Sequence, residues 1–385
     1  MNTTKRRLFL IKFKDSLSPE CIDKDTIRYK EIYNVLRFVP TNEFEINLVN
    51  YDNPKVSEEN NQQYYKYIHY EDFKNLELLE TDLLIFWTGY IYVPTDVDVS
   101  KTDASNIRAF YECLESTRNK DNKRYLICTD TRCPLIKPGF YSSNEIFKEE
   151  LKDINIDDIH LTYLTQAIDP EAFIEIVKSS EINSVHKNVS AIHMKLHLAP
   201  LVSHDIPKIK ENHNGKFFYY AGDLRDISKH RYDNIIKFYS VDSSDLSVKP
   251  LIASNVHPDI YDKLPNVEFI NKIPYSEVPV RLNEMFASVC FSEADYEKCR
   301  LLPNRIAEGI AAKTLLLIHH NIDPERKLNL EPLQYFETVE DFKKSLKYYS
   351  EKPHRRINAI NNQRYQLSIE GDLDAFQFSR DFSTI

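Results

Sequence analysis

The sequence predicts an α/β protein built on parallel sheets, and three observations carry that expectation. Short apolar runs recur along the 385 residues, stretches with helical periodicity lie between them, and β-branched and aromatic residues concentrate in the runs. In chain order the first set is RLFLIKF (7–13), FEINLVN (44–50), LLIFWTG (83–89) and RYLICTD (124–130), with a helix at 104–118. The second set is FFYYAGD (217–223), VKPLIAS (248–254), VEFI (267–270), ASVCFS (287–292) and TLLLIHH (314–320). A helix at 303–313 precedes the last run, and Pro303 and Asn304 suit its start.

The length exceeds what one core usually serves, so two domains are expected. The first spans 1–190 and the second 210–359, with a linker in the irregular stretch 180–216, which holds Pro200, Pro207 and the polar turn ENHNGK. Residues 360–385 are expected to pack back across the first domain. With 42% hydrophobic and 28% charged residues, the composition is that of a globular protein, neither disordered nor fibrous. A net charge of −9 argues against a general nucleic-acid coat, since phosphate binding relies on Lys and Arg. Six cysteines without a CxxC pair point to reduced thiols and a cytoplasmic compartment. No apolar run approaches the ~20 residues of a membrane span, and the N-terminal run reads as a first strand rather than a signal peptide.

Ligands of open α/β sheets bind outside the carboxyl ends of strands, so polar residues there are the candidates for chemistry. The six glycines include no G-x-G, so neither a dinucleotide fingerprint nor a P-loop is present. In LICTDTRCP, Asp130 follows an apolar run directly, where a general base would stand, although a turn or capping aspartate looks the same. Cys128 and Cys133 beside it lack a metal-ligand pattern. In FFYYAGDLRDISKHR, Gly222 would allow close backbone approach to a phosphate, with Arg225, Lys229 and Arg231 at the following helix entrance; a solvated basic helix start is the alternative. In NRIAEG, Arg305 and Glu308 share one face of a first turn and suit a diphosphate and a ribose, or else form a surface ion pair. Together these describe a nucleoside diphosphate.

The blocks YLICTDTRCP (125–134), YYAGDLR (219–225), NKIPYSEV (271–278), ASVCFSEADY (287–296) and NRIAEGIAAKTLLLI (304–318) occur in an order and spacing that resemble the DNA β-glucosyltransferases of T-even phages. The resemblance implies a GT-B fold of two Rossmann-like domains facing a cleft. It also implies an inverting transfer of sugar from a UDP-sugar to 5-hydroxymethylcytosine in duplex DNA. Carried over by position, Asp130 matches the general base, Asp25 a carboxylate that touches the donor sugar, and Arg225 a phosphate ligand. Ile273 matches the residue whose backbone reads the uracil, and Arg305 and Glu308 match ligands of the diphosphate and ribose.

Three positions depart from the family pattern. Lys229, with Arg231 two residues on, stands where the family has a second phosphate-binding arginine. Asp223 replaces a small hydroxyl residue, and Asp25 replaces a glutamate, which leaves arabinose as well as glucose compatible with the donor site. Mg2+ or Mn2+ is a possible assistant without a dedicated protein site. The implied setting is the cytoplasm of an infected bacterium, with the enzyme a monomer whose product hides phage DNA from nucleases. Lys5, Arg6, Arg7, Lys352, His354, Arg355 and Arg356 are candidate DNA-phosphate contacts, and base flipping would bring the target within reach. The competing readings are a GT-B enzyme with a non-DNA acceptor and a non-catalytic nucleotide-sugar-binding module.

Overall fold

The structure is a computed structural model describing residues 5–12, 42–50, 65–87, 101–128, 149, 152–156, 158–165, 167–178, 188–193, 209–223, 228–255, 259–274 and 277–366. The chain divides into two compact units, each built around one sheet.

The first unit holds a seven-stranded parallel sheet of β1 (Arg6–Lys12), β2 (Phe44–Asn50), β3 (Tyr65–His69), β4 (Leu83–Trp87), β5 (Arg124–Cys128), β6 (Leu161–Thr165) and β7 (Val189–His193). Their order is β3-β2-β1-β4-β5-β6-β7. Helices α1 (Tyr70–Lys74), α2 (Lys101–Glu115) and α3 (Pro170–Lys178) connect strands. All five residues of β4 are buried, which explains its unbroken apolar sequence. Just before β4, Asp82 accepts from Arg7 Nε at 2.9 Å and receives the Leu79 amide at 2.7 Å, tying the loop to β1. Arg7 also donates to the Glu77 carbonyl, so this guanidinium is engaged within the protein.

The second unit holds six parallel strands: β8 (Lys216–Asp223), β9 (Lys249–Asn255), β10 (Glu268–Ile270), β11 (Ala287–Cys290), β12 (Leu315–His319) and β13 (Tyr335–Phe336). Their order is β10-β9-β8-β11-β12-β13. Its helices are α4 (Lys229–Tyr239), α5 (Asp259–Lys263), α6 (Val278–Glu284), α7 (Ala294–Cys299), α8 (Asn304–Ala311), α9 (Val339–Glu351) and α10 (Pro353–Gln366). Phe217, Tyr219, Phe238, Tyr239, Phe291, Phe336 and Phe342 form an aromatic core on one face, with ring pairs as close as 4.8 Å.

Two expectations change. The stretch read as linker contains β7, the last strand of the first sheet, which also crosses residue 190. Of residues 360–385, read as returning to the first domain, 360–363 belong to α10 and pack on the second sheet, where Gln363 accepts the Leu316 amide at 3.1 Å, and 367–385 lie outside the described residues. Gln363 also donates to the Thr314 carbonyl, and Gln334 Nε2 donates to Leu316 O at 3.1 Å and to Gln363 Oε1 at 2.8 Å. Two amide side chains thus take the hydrogen-bonding place of a strand beside the start of β12, since β13 pairs only with Ile318 and His319.

Arg356 is also corrected: it is 2% exposed and cannot meet a DNA phosphate. Its guanidinium donates to the carbonyls of Phe286, Lys210 and Met285 at 2.8, 3.1 and 3.0 Å. Met285 and Phe286 directly follow α6, so the cation closes the carboxyl end of that helix and ties it to Lys210, ahead of β8. Burial lowers its pKa to about 10.

Candidate functional site

In the second unit the chain steps outward from β8 to β9 and β10 on one side, and from β11 to β12 and β13 on the other. The order therefore reverses between β8 and β11. Connections leave in opposite directions there, which opens a crevice at the carboxyl ends of the two strands.

Gly222 lies near the end of β8, within an irregularity in the β8–β9 register between Tyr220 and Asp223. After the break, Ser228 caps α4: its backbone is extended and its Oγ accepts the Arg231 amide at 3.3 Å. Ser228 Oγ also donates to Glu293 Oε2, and Glu293 Oε1 lies 2.9 Å from Arg231 Nη1. The first turn of α4 and the start of α7, which follows β11, are thus joined through one carboxylate. The neighbouring His230 Nε2 lies 3.1 Å from Glu297 Oε1, and Glu297 Oε2 accepts from Asn321 Nδ2 at 3.2 Å. Lys229 pairs with Asp233 one turn on and is well exposed.

Helix α8 enters differently. Its N-cap is Pro303, which has no side-chain acceptor to offer the first-turn amides. The Arg305 guanidinium lies 5.5 Å from the centre of the Tyr219 ring on β8, an arrangement that orients the cation. Burial pushes the Cys290 thiol, at the end of β11, up to about 12, and the nearby Arg305 charge opposes that shift. Arg305 therefore stands by both strands at the reversal. Glu308, one turn on, is 1% exposed.

The helix reaches this position because Gly309 allows it to approach the sheet. A Cβ there would lie 2.4 Å from Leu316 Cδ2 on β12. Ile273, after β10, is half-buried against a cluster of Phe218, Leu251, Ala253, Val278, Leu282, Met285 and Ala312. Among the described residues, no group of three or more His, Cys, Asp or Glu side chains is arranged to hold a metal ion.

Of the residues singled out from sequence, Arg305 and Arg231 lie on elements flanking the reversal, with Gly222 and Lys229 on the same strand and helix. Glu308 follows in α8 and Ile273 follows β10. Asp25, Asp130 and Arg225 lie outside the described residues. Sequence reasoning missed Ser228, Glu293, Glu297 and Asn321. Ser228 carries a readable signal as a serine before a helix, whereas the pairing of Glu293 with Arg231 joins residues far apart in the chain.

No protein-family model matches the sequence, and no curated protein matches it significantly. Solved structures do match. T4 phage β-glucosyltransferase (BGT) in complex with UDP and Mn2+ superimposes with a TM-score of 0.66 at 14% identity, over 98% of this chain and 99% of that one. A structure of the DNA-modifying enzyme β-glucosyltransferase, with and without uridine diphosphoglucose, gives 0.62 at 14% identity over 98% of each chain. Sucrose-phosphate synthase of Thermosynechococcus elongatus gives 0.56 at 9% identity over 99% of each chain.

The fold is GT-B. The two parallel sheets, in the orders given above, are those of this fold, as the sequence resemblance implied. At these identities the similarity establishes the GT-B architecture, and the chemistry rests on the residues. Among the described residues of this GT-B chain, no helix is long and apolar enough to cross a membrane.

Proposed function

We propose that the chain is an inverting glycosyltransferase that moves a sugar from a UDP-sugar to the hydroxymethyl group of 5-hydroxymethylcytosine in DNA. The observation that carries this reading is Arg305, held over the Tyr219 ring at the strand-order reversal, in the first turn of a helix whose amino end faces that crevice's strands. Fold similarity to β-glucosyltransferase over almost the whole of both chains supports it. Arg225, Arg231 and Arg305 would meet the diphosphate with Lys229 and the Gly222 backbone, Glu308 the ribose, Ile273 the uracil and Asp25 the sugar.

The acceptor oxygen attacks the anomeric carbon, its proton passes to Asp130, and the bond from that carbon to the β-phosphate oxygen breaks. UDP leaves with the electron pair. Cations and helix N-termini stabilise the charge that develops on the leaving diphosphate. A Mg2+ or Mn2+ ion, if bound, would supply further positive charge at the diphosphate. The working partners are duplex DNA and the UDP-sugar, with the protein a monomer in the cytoplasm of an infected bacterium.

The test is incubation with 5-hydroxymethylcytosine duplex and a panel of UDP-sugars, followed by digestion to nucleosides and mass spectrometry. A hexose increment identifies glucosyl transfer and a pentose increment arabinosyl transfer. No increment from any donor, with UDP still bound, refutes the DNA acceptor. A second reading, the same transfer to a non-DNA acceptor, is favoured by the net charge of −9 and by the internal engagement of Arg7 and Arg356. Asp130→Asn separates both from a non-catalytic binding module: turnover falls by ~100-fold or more while UDP affinity is kept.

A further inference from the structure

The carboxylate of Glu293 occupies the place that an anionic ligand would take at the start of α4. One oxygen receives the hydroxyl of the cap residue Ser228, and the other lies 2.9 Å from Arg231 Nη1. The two side chains keep 13% (Arg231) and 25% (Glu293) of their exposure, so the pair is largely withdrawn from water. Arg231 is not saturated by it: its Nε is buried and has no hydrogen-bond partner among the described residues. The carboxylate comes from the N-cap residue of α7, three residues beyond β11, at the reversal of strand order where ligands of this architecture bind.

We propose that Glu293 is a built-in competitor for the donor diphosphate, holding Arg231 and Ser228 in the free protein and releasing them when UDP-sugar arrives. The inference rests on the nucleotide-sugar reading above and adds to it a residue that sets donor affinity. A carboxylate and a phosphate oxygen make the same type of charge-assisted bond to guanidinium, so one replaces the other without leaving Arg231 uncompensated. The entering diphosphate meets two opposing effects, an Arg231 already engaged and a like charge beside it. Both weaken donor binding, and both vanish when the carboxylate is removed. In the free protein the competitor removes the cost of a partly buried cation facing an empty site. On product release it recaptures Arg231 and helps expel UDP, whose departure limits turnover in many transferases.

The experiment is calorimetric titration of the full chain, in parallel with UDP and with uridine, for wild type, Glu293→Gln, Glu293→Asp and Arg231→Ala. Removing one partly exposed competing charge is expected to tighten UDP binding by about 3- to 10-fold in Glu293→Gln. A smaller gain is expected in Glu293→Asp, whose shortened carboxylate reaches Arg231 poorly, and a loss in Arg231→Ala. Uridine, which carries no phosphate, should bind all four alike. Unchanged or weaker UDP binding in Glu293→Gln, or an equal gain for uridine, overturns the proposal. Should Glu293→Gln fail to fold, Glu293→Asp carries the same sign test. Wild type that binds uridine and UDP equally, or neither, overturns the nucleotide-sugar reading itself, and the competitor falls with it; UDP binding without a gain overturns the competitor alone.

Discussion

Replacing Gly309 by alanine places one carbon where α8 meets the sheet. That carbon would stand 2.4 Å from Leu316 Cδ2 and 3.5 Å from Leu316 Cγ, so helix or leucine must give by about 1 Å to regain ordinary contact. Leu316 has little freedom to give. It is fully buried, and its amide and carbonyl are both held by the glutamine pair. Overpacking of this kind costs about 1–3 kcal/mol. The better helix propensity of alanine over glycine returns about 1 kcal/mol. The net expectation is a destabilisation of ~1 kcal/mol, measured by urea unfolding.

The sign should reverse in a Leu316→Ala background. There the obstructing methyl is gone and only the propensity gain of roughly 0.5–1 kcal/mol remains, although Leu316→Ala itself costs about 2–5 kcal/mol. A helix pushed from the sheet also displaces Arg305 from the ring of Tyr219, so turnover should fall more than stability suggests. A stabilising Gly309→Ala in the wild-type background, or the same effect in both backgrounds, would refute the close approach and the explanation of why this helix carries a glycine.

Arg305→Ala should weaken UDP binding by ~10- to 100-fold, as expected for loss of a charge-assisted contact to phosphate, with far less effect on uridine; calorimetry decides it. Gln363→Ala leaves the Leu316 amide and the Thr314 carbonyl buried without their partner, and should lower unfolding free energy by about 2–4 kcal/mol in urea. Burial holds the pKa of His319 down at about 4, and burial with the Arg356 charge does the same for His213. Between pH 6.5 and 4 the unfolded chain binds protons that these folded imidazoles refuse, so stability falls as pH falls through that window. The slope from His319 is at most ~1.4 kcal/mol per pH unit, with less from half-buried His213 because solvent screens it. Thermal melts across that range should show the loss, and His319→Asn should flatten it.

The buried strands were the most legible part of the chain. FEINLVN was read at its true bounds, and LLIFW and TLLLI were placed to within a residue or two, the last two because burial on both faces leaves LLIFW and LLLI without polar residues. Strands β3, β6, β7 and β13 were not read. YKYIH and VSAIH lie at sheet edges, where one side needs no apolar run, LTYLT interleaves threonines, and YF is too short to make a pattern. The start of α8 was legible from Pro303 and Asn304, and with it the shared face of Arg305 and Glu308. The charge state around Arg231 was not. Its partner arrives from beyond another strand, and the spacing of charges along a chain does not encode which carboxylate a fold brings to which cation.

The two glutamines beside β12 bear on how the protein is made. Until α10 is in place, the first half of LLLIH presents bare amides and carbonyls along an apolar ribbon, which invites a strand from another nascent chain. Gln363 lies almost fifty residues downstream of that ribbon. At ribosomal pace several seconds separate the emergence of the edge from that of the residue that seals it. The second sheet is therefore exposed to mispairing during synthesis, and a shortfall in soluble yield is the expected mark of any change that delays the docking of that last helix.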